Sequence, residues 1–170
     1  MKIKYIILSL IILLTPTLVK ASDVDYEITN YYIDSYVLEN GDLEIKELIV
    51  LNGSFNGYIR ELATSNSVLS HSNKIDFEHD AIYNASGIYD MKIGAKKVDD
   101  VSFDTFNDEF ETLEIGDSFS SNSKKTVVTK YSNYDEYKMY YRSNNESVAF
   151  FLDYKLDKAI VLHNDVAELY

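Results

Sequence analysis

The chain contains no cysteine. That excludes a disulfide framework, a thiol nucleophile, a thiolate metal centre and a lipid-bearing cysteine, so the fold must hold by packing alone. Proline occurs once, as Pro16, and nothing after it interrupts a strand's hydrogen-bond ladder. Tryptophan is absent, yet 15 tyrosines and 8 phenylalanines stand among 170 residues, a bias that favours strands over helices. Basic residues are scarce, with 16 Lys and Arg against 28 Asp and Glu. A field of that sign repels nucleic-acid phosphates and anionic headgroups, which argues against both as direct partners. After the N-terminal segment no stretch of about 12 residues keeps a helical period.

The N-terminus reads as a targeting segment. Lys2 and Lys4 make a positive start, Tyr5 to Leu14 is apolar except for Ser9, and Thr15-Pro16-Thr17 breaks the run before Ala21. As a helix, the apolar part would cover only about half of a hydrocarbon core of roughly 30 Å. Residues 1–21 are therefore expected to be a signal peptide, with an uncleaved signal anchor as the alternative. Residues 22–170 remain as one domain of ordinary size. Loss of Lys2, Lys4 and Lys20 leaves 13 basic against 28 acidic residues, a net charge of −15.

Period-two alternation dominates the domain. Tyr31, Ile33, Ser35 and Val37 are followed by Asn40-Gly41, then by Leu43, Ile45, Glu47, Ile49 and Leu51. Asn-Gly between alternating runs predicts a hairpin closed by a type I′ turn. Residues 52–57 read as a tight loop and Tyr58–Leu62 as a short strand. Residues 63–74 read as a loop, with weak strand signals over 74–83 and 87–94. Tyr137–Tyr141 and Val148–Leu156, separated by Ser143-Asn144-Asn145-Glu146, predict a second hairpin. Residues 159–163 are a last apolar run. The predicted fold is all-β, an antiparallel β-sandwich of immunoglobulin-like general architecture.

Two charges stand where the alternation asks for core residues. Glu47 shares a face with Leu43, Ile45 and Ile49, and Arg60 with Tyr58 and Leu62. A lone buried charge is costly, whereas a paired one persists. A structural ion pair between Glu47 and Arg60 is thus expected, reaching across neighbouring strands. A ligand-binding arginine is the other reading. His71, His79 and His163 lack zinc-site spacing, no Gly-x-Ser-x-Gly elbow is present, and Asp104, Asn107, Asp108 and Glu109 do not match a calcium loop. No cofactor and no catalytic residue is expected. Asn52, Asn84 and Asn145 begin glycosylation-type triplets, but the Lys-, Asn-, Ile- and Tyr-rich composition resembles that of low-GC bacteria.

The segments "YEITNYYIDSYVLENGDLEIKELIV" and "GSFNGYIREL", with the final "FFLDYKLDKAIVLHNDVAELY", resemble the N-terminal region of the YciQ-like predicted membrane proteins, domain of unknown function 2207. Ile59 separates Tyr58 from Arg60, where members of that family often have the two adjacent. The resemblance implies a tethered extracytoplasmic domain, the N-terminal part of a longer membrane protein, and it carries no catalytic or ligand-binding residue. The reading is a non-enzymatic module that binds or scaffolds an unknown protein or cell-envelope partner and meets the membrane by tethering. Aromatics on both faces of 137–141 and 150–154 would form its binding surface or lie under a second sheet. The alternative is a carbohydrate- or cation-dependent surface binder or enzyme that uses the acidic stretch 99–117.

Overall fold

The computed structural model describes residues 25–64, 68–69, 81–82, 87–117, 124–162 and 167–169. The segment 1–21 and the three histidines lie outside them. The alternating runs form strands: β1 (Asp25–Val37), β2 (Leu43–Ala63), β5 (Ile88–Lys97), β8 (Lys125–Lys130) and β9 (Tyr134–Leu156). Shorter ones are β3 (Val68–Leu69), β4 (Ala81–Ile82), β6 (Glu111–Thr112), β7 (Glu114–Ile115), β10 (Ile160–Leu162) and β11 (Ala167–Leu169). A 3-10 helix over Phe103–Asn107 is the only helical element among the described residues. The architecture is all-β, as the composition leads one to expect.

Seven strands make one sheet. Its main path runs β1-β2-β9-β5-β6, and β8 pairs with both β9 and β7. All its pairings are antiparallel except that of β7 with β8. Residues 52–57, read as a loop, belong to β2, and 143–146, read as a hairpin turn, belong to β9. The two long strands run side by side from Leu43↔Leu156 to Ala63↔Tyr134. The chain does reverse into β9, but at residues 131–133, where Tyr131 N–H donates to Tyr134 O at 2.9 Å and the two rings stack.

What 52–57 and 143–146 contribute is a corner. The four steps from Gly53 to Gly57 face the six from Glu146 to Tyr140, so β9 carries the surplus residues of a bulge, which bends a strand pair. Asn145 takes φ 57° and Gly53 φ 131° there. The Ser143 hydroxyl, buried in the corner, donates to Gly53 O (2.7 Å) or Glu146 O (2.9 Å) and accepts Glu146 N–H (3.2 Å). Past the corner the sheet doubles back, and its halves enclose one core. Ile49, Leu51, Val148, Phe150, Leu152 and Tyr154 from one half meet Leu62, Tyr137, Met139 and Tyr141 from the other. The aromatics of 137–141 and 150–154 are thus mostly interior.

The first half is covered on its other face too. Leu48, Val50 and Ala149 are buried under Val98, Val101, Phe106 and Phe110, and Phe110 stacks on Phe151. The acidic stretch 99–117 is therefore a lid over the sheet, with Phe106 and Phe110 turned inward and its carboxylates outward.

The first turn also departs from expectation. Gly41 alone takes positive φ, 85°, Gly41 N–H donates to Leu38 O (3.0 Å), and Leu38 N–H to Asp42 O (2.9 Å). This is a three-residue loop with a glycine bulge rather than a two-residue type I′ turn. Asp42 explains the choice. Its buried carboxylate accepts from Asn40 Nδ2 (2.6 Å), from Lys158 N–H (2.9 Å) and from the Tyr89 hydroxyl, tying the turn to β5 and to the chain leaving β9. The Lys158 amide, with Tyr89 and Asn40, holds this carboxyl below its ordinary value.

Candidate functional site

Glu47 and Arg60 both lie on β2, not on neighbouring strands. Thirteen steps along a straight strand would separate them by about 43 Å. The corner instead brings Arg60 Nε to 2.9 Å and Arg60 Nη2 to 3.0 Å from the two Glu47 oxygens. The fork-to-fork geometry is that of a strong charge-assisted pair. Two residues that nothing in the sequence points to complete the arrangement. The Tyr31 hydroxyl of β1 donates to Oε2 and the Tyr154 hydroxyl of β9 to Oε1, each at 2.7 Å. Glu47 is 1% exposed, and four donors meet its carboxylate, which matches what such a group can accept.

The electrostatics follow from this enclosure. Burial pushes the Glu47 carboxyl up, but hydrogen bonds from Arg60, Tyr154 and Tyr31, with the guanidinium charge, outweigh it and hold the group below its ordinary 4.5. Burial, then the adjacent carboxylate, raises both tyrosine hydroxyls. Arg60 stays charged: burial works against it and Glu47 more than compensates. The guanidinium is committed, because its remaining Nη1 donates to Glu61 O at 3.0 Å. The cluster joins β1, both halves of β2 and β9, and chemically it is a clamp.

A pH dependence follows. Since the folded carboxyl ionises below 4.5, the unfolded chain binds its proton more tightly, and stability rises with pH across that interval. The clamp's contribution is complete above about pH 5 and drains away as pH falls through the depressed value. Urea midpoints measured from pH 7 down to pH 2 are expected to fall steeply below pH 4.5 in the natural protein. In Glu47→Gln they should start lower and fall less steeply, the remaining slope coming in part from Asp42, whose carboxyl is depressed in the same direction. Parallel curves would show that Glu47 does not ionise as this geometry requires.

In the stretch 99–117, Asp108 is paired with Lys96 (2.6 Å) and Glu111 with Lys124 (2.7 Å). Among the described residues no three acidic or histidine side chains converge as a metal site. A shallow groove of about 470 Å³ runs along Met91, Ile93, Phe110, Leu113 and Ile115. Among the described residues, six of the ten exposed large hydrophobics lie elsewhere, on β1: Tyr26, Ile28, Tyr31, Ile33, Tyr36 and Val37.

These features define a cysteine-free all-β domain whose buried polar groups join strands and whose first strand is left apolar and open. The family described as predicted membrane protein (DUF2207) N-terminal domain matches residues 27–170, and the chain belongs to it. The match runs through the middle of the chain as well as through the two ends that carry the resemblance in sequence. No curated protein and no solved structure matches the chain. Among the described residues no helix is long and apolar enough to cross a membrane.

Proposed function

We propose that this chain is a non-enzymatic, extracytoplasmic module of a membrane-associated bacterial protein, and that it works by holding another polypeptide of the cell envelope. The observation that carries the reading is the exposed apolar side of β1, beside long strands β2 and β9 that are mostly buried or half-buried. Exposed apolar stripes of this size on soluble domains mark contact surfaces. Three buried polar side chains support the non-enzymatic part: Glu47, Asp42 and Ser143 are each occupied in joining parts of the fold. The cation-dependent alternative draws less support, because Asp108 and Glu111 already have lysine partners. The N-terminal segment supplies the route out of the cytoplasm and, if it stays attached, the tether.

The missing cysteine makes a test of location simple. Glu39 is exposed in the first turn, and Glu39→Cys places the only thiol of the chain there. A membrane-impermeant maleimide is expected to label this variant as fully in intact cells as in lysed ones. Labelling only after lysis would sink the extracytoplasmic reading.

A further inference from the structure

Three of the chain's six glycines follow an asparagine: Asn40-Gly41, Asn52-Gly53 and Asn56-Gly57. Asparagine is thermolabile, most of all before glycine, where no Cβ hinders the next backbone amide. That amide nitrogen attacks the side-chain Cγ. The Cγ–Nδ2 bond breaks, ammonia leaves with the amide proton, and a succinimide ring closes. Water then opens the ring. Attack at Cγ gives aspartate. Attack at the main-chain carbonyl carbon gives isoaspartate, whose backbone runs through the former side chain and gains an atom. The reaction needs a carboxamide and a following amide that are free to swing together, so the fold decides which of three equal dipeptides reacts.

Two of the three are held. Both ends of the Asn40 carboxamide are bonded to Asp42: Nδ2 donates to Oδ2 (2.6 Å) and Oδ1 accepts the Asp42 N–H (3.2 Å). The Gly41 amide, the required nucleophile, donates to Leu38 O (3.0 Å). Asn52 is half-buried between two strands, opposite Glu27 of β1 and Ser147 of β9, and its Nδ2 donates to Ser147 Oγ (2.8 Å). Asn56 differs in each respect. It is exposed, and among the described residues none hydrogen-bonds its carboxamide. The register of β2 on β9 steps from Phe55↔Ser143 to Gly57↔Tyr140 and passes it over. Along β2, β1 pairs no further than Ser54.

We propose that Asn56 is a self-modifying site, which converts through a succinimide to isoaspartate and thereby loosens the Glu47–Arg60 clamp. The extra main-chain atom enters β2 immediately before Gly57, where the packing leaves no slack: a Cβ there would sit 2.1 Å from Met139 O. Arg60 follows on the same strand, and its guanidinium reaches both Glu47 oxygens from the present register. The aspartate product adds a charge at an exposed position and leaves the backbone as it was. The site gives the domain a built-in lifetime, set at its corner.

The test ages the full chain in warm, mildly alkaline buffer and follows the three asparagine peptides by mass spectrometry, with isoaspartate detected by enzymatic methylation. In the native protein Asn56 is expected to react at least about tenfold faster than Asn40 or Asn52, whose carboxamides are held by hydrogen bonds. In urea the three rates should converge, because the unfolded chain keeps none of those restraints. Ser147→Ala frees the Asn52 carboxamide and should speed its reaction about threefold to tenfold while leaving Asn56 unchanged. The isoaspartate form, separated by chromatography, should melt below the parent. Asn56→Asp, which adds the charge without the extra atom, should melt with the parent, and Asn56→Gln should lose the reaction at this position. Three results would overturn the proposal: a native rate at Asn40 or Asn52 that equals or exceeds that at Asn56, reaction of Asn56 only in urea, or an isoaspartate form with the parent's melting temperature.

Discussion

Replacing Arg60 with methionine is expected to destabilise the domain by about 3–5 kcal/mol, the usual result of stripping one partner from a buried ion pair. Methionine keeps much of the volume and removes the charge. Glu47, 1% exposed, would then keep only the Tyr31 and Tyr154 hydroxyls. The Arg60 side chain is 29% exposed, which places the loss toward the lower end of that range. For a chain of this size the melting temperature should fall by roughly 10 °C. The double replacement Glu47→Leu with Arg60→Met should recover much of the loss, since it deletes the orphaned carboxylate along with its partner. A loss under about 1 kcal/mol for the single variant would class the contact with solvent-screened surface pairs and leave the corner without its clamp.

The second large effect lies at the glycines of the corner. A Cβ on Gly53 would sit 2.1 Å from Asp25 O, and φ is 131° there, a conformation L side chains rarely adopt. A Cβ on Gly57 would sit 2.1 Å from Met139 O. In both places the obstacle is backbone of a paired strand, which cannot rotate aside. Gly53→Ala and Gly57→Ala are each expected to cost about 3 kcal/mol or more in denaturant unfolding. Gly87→Ala is the control: no atom lies within 4 Å of its added Cβ, and the change should stay within about 0.5 kcal/mol. A small effect at Gly53 and Gly57 would contradict the close crossing of chains seen here.

How much of this was legible in the residues depends on whether the signal was local. The Asn40-Gly41 hairpin was, and so were the odd charges at Glu47 and Arg60, because each interrupts an apolar alternation. The reversal at 143–146 was misread for a physical reason. On its core-facing side, the buried residues of β9 include Asp135, Tyr137, Met139 and Tyr141 and then Val148, Phe150, Leu152 and Tyr154. The phase slips from odd to even across an Asn-rich stretch, which a turn and a bulge both produce. Only pairing with β2, some 90 residues earlier, decides between them, and β2 slips phase at its own glycines. The stretch 99–117 was read by its charges, while Phe106 and Phe110 do the packing. Tyr31, Ile33 and Val37 were read as one alternating set, which puts them on a common face but does not say what lies above it. Tyr154 was one aromatic among 23, and its hydrogen bond to Glu47 exists only once the sheet has doubled back.

The 23-residue strand β9 has a consequence for the order of events during synthesis. It is the common neighbour of β2, β5 and β8, yet its last residue is Leu156. A nascent chain that has emerged through residue 130 holds β1, β2, β5 and β8 and none of the backbone that joins the last three. Such late, long-range pairing folds slowly, on the scale of milliseconds to seconds. The open apolar strands must wait through that interval, so a holdase acting on the waiting segment 25–63 would do more for the yield of native protein than any change to the finished core.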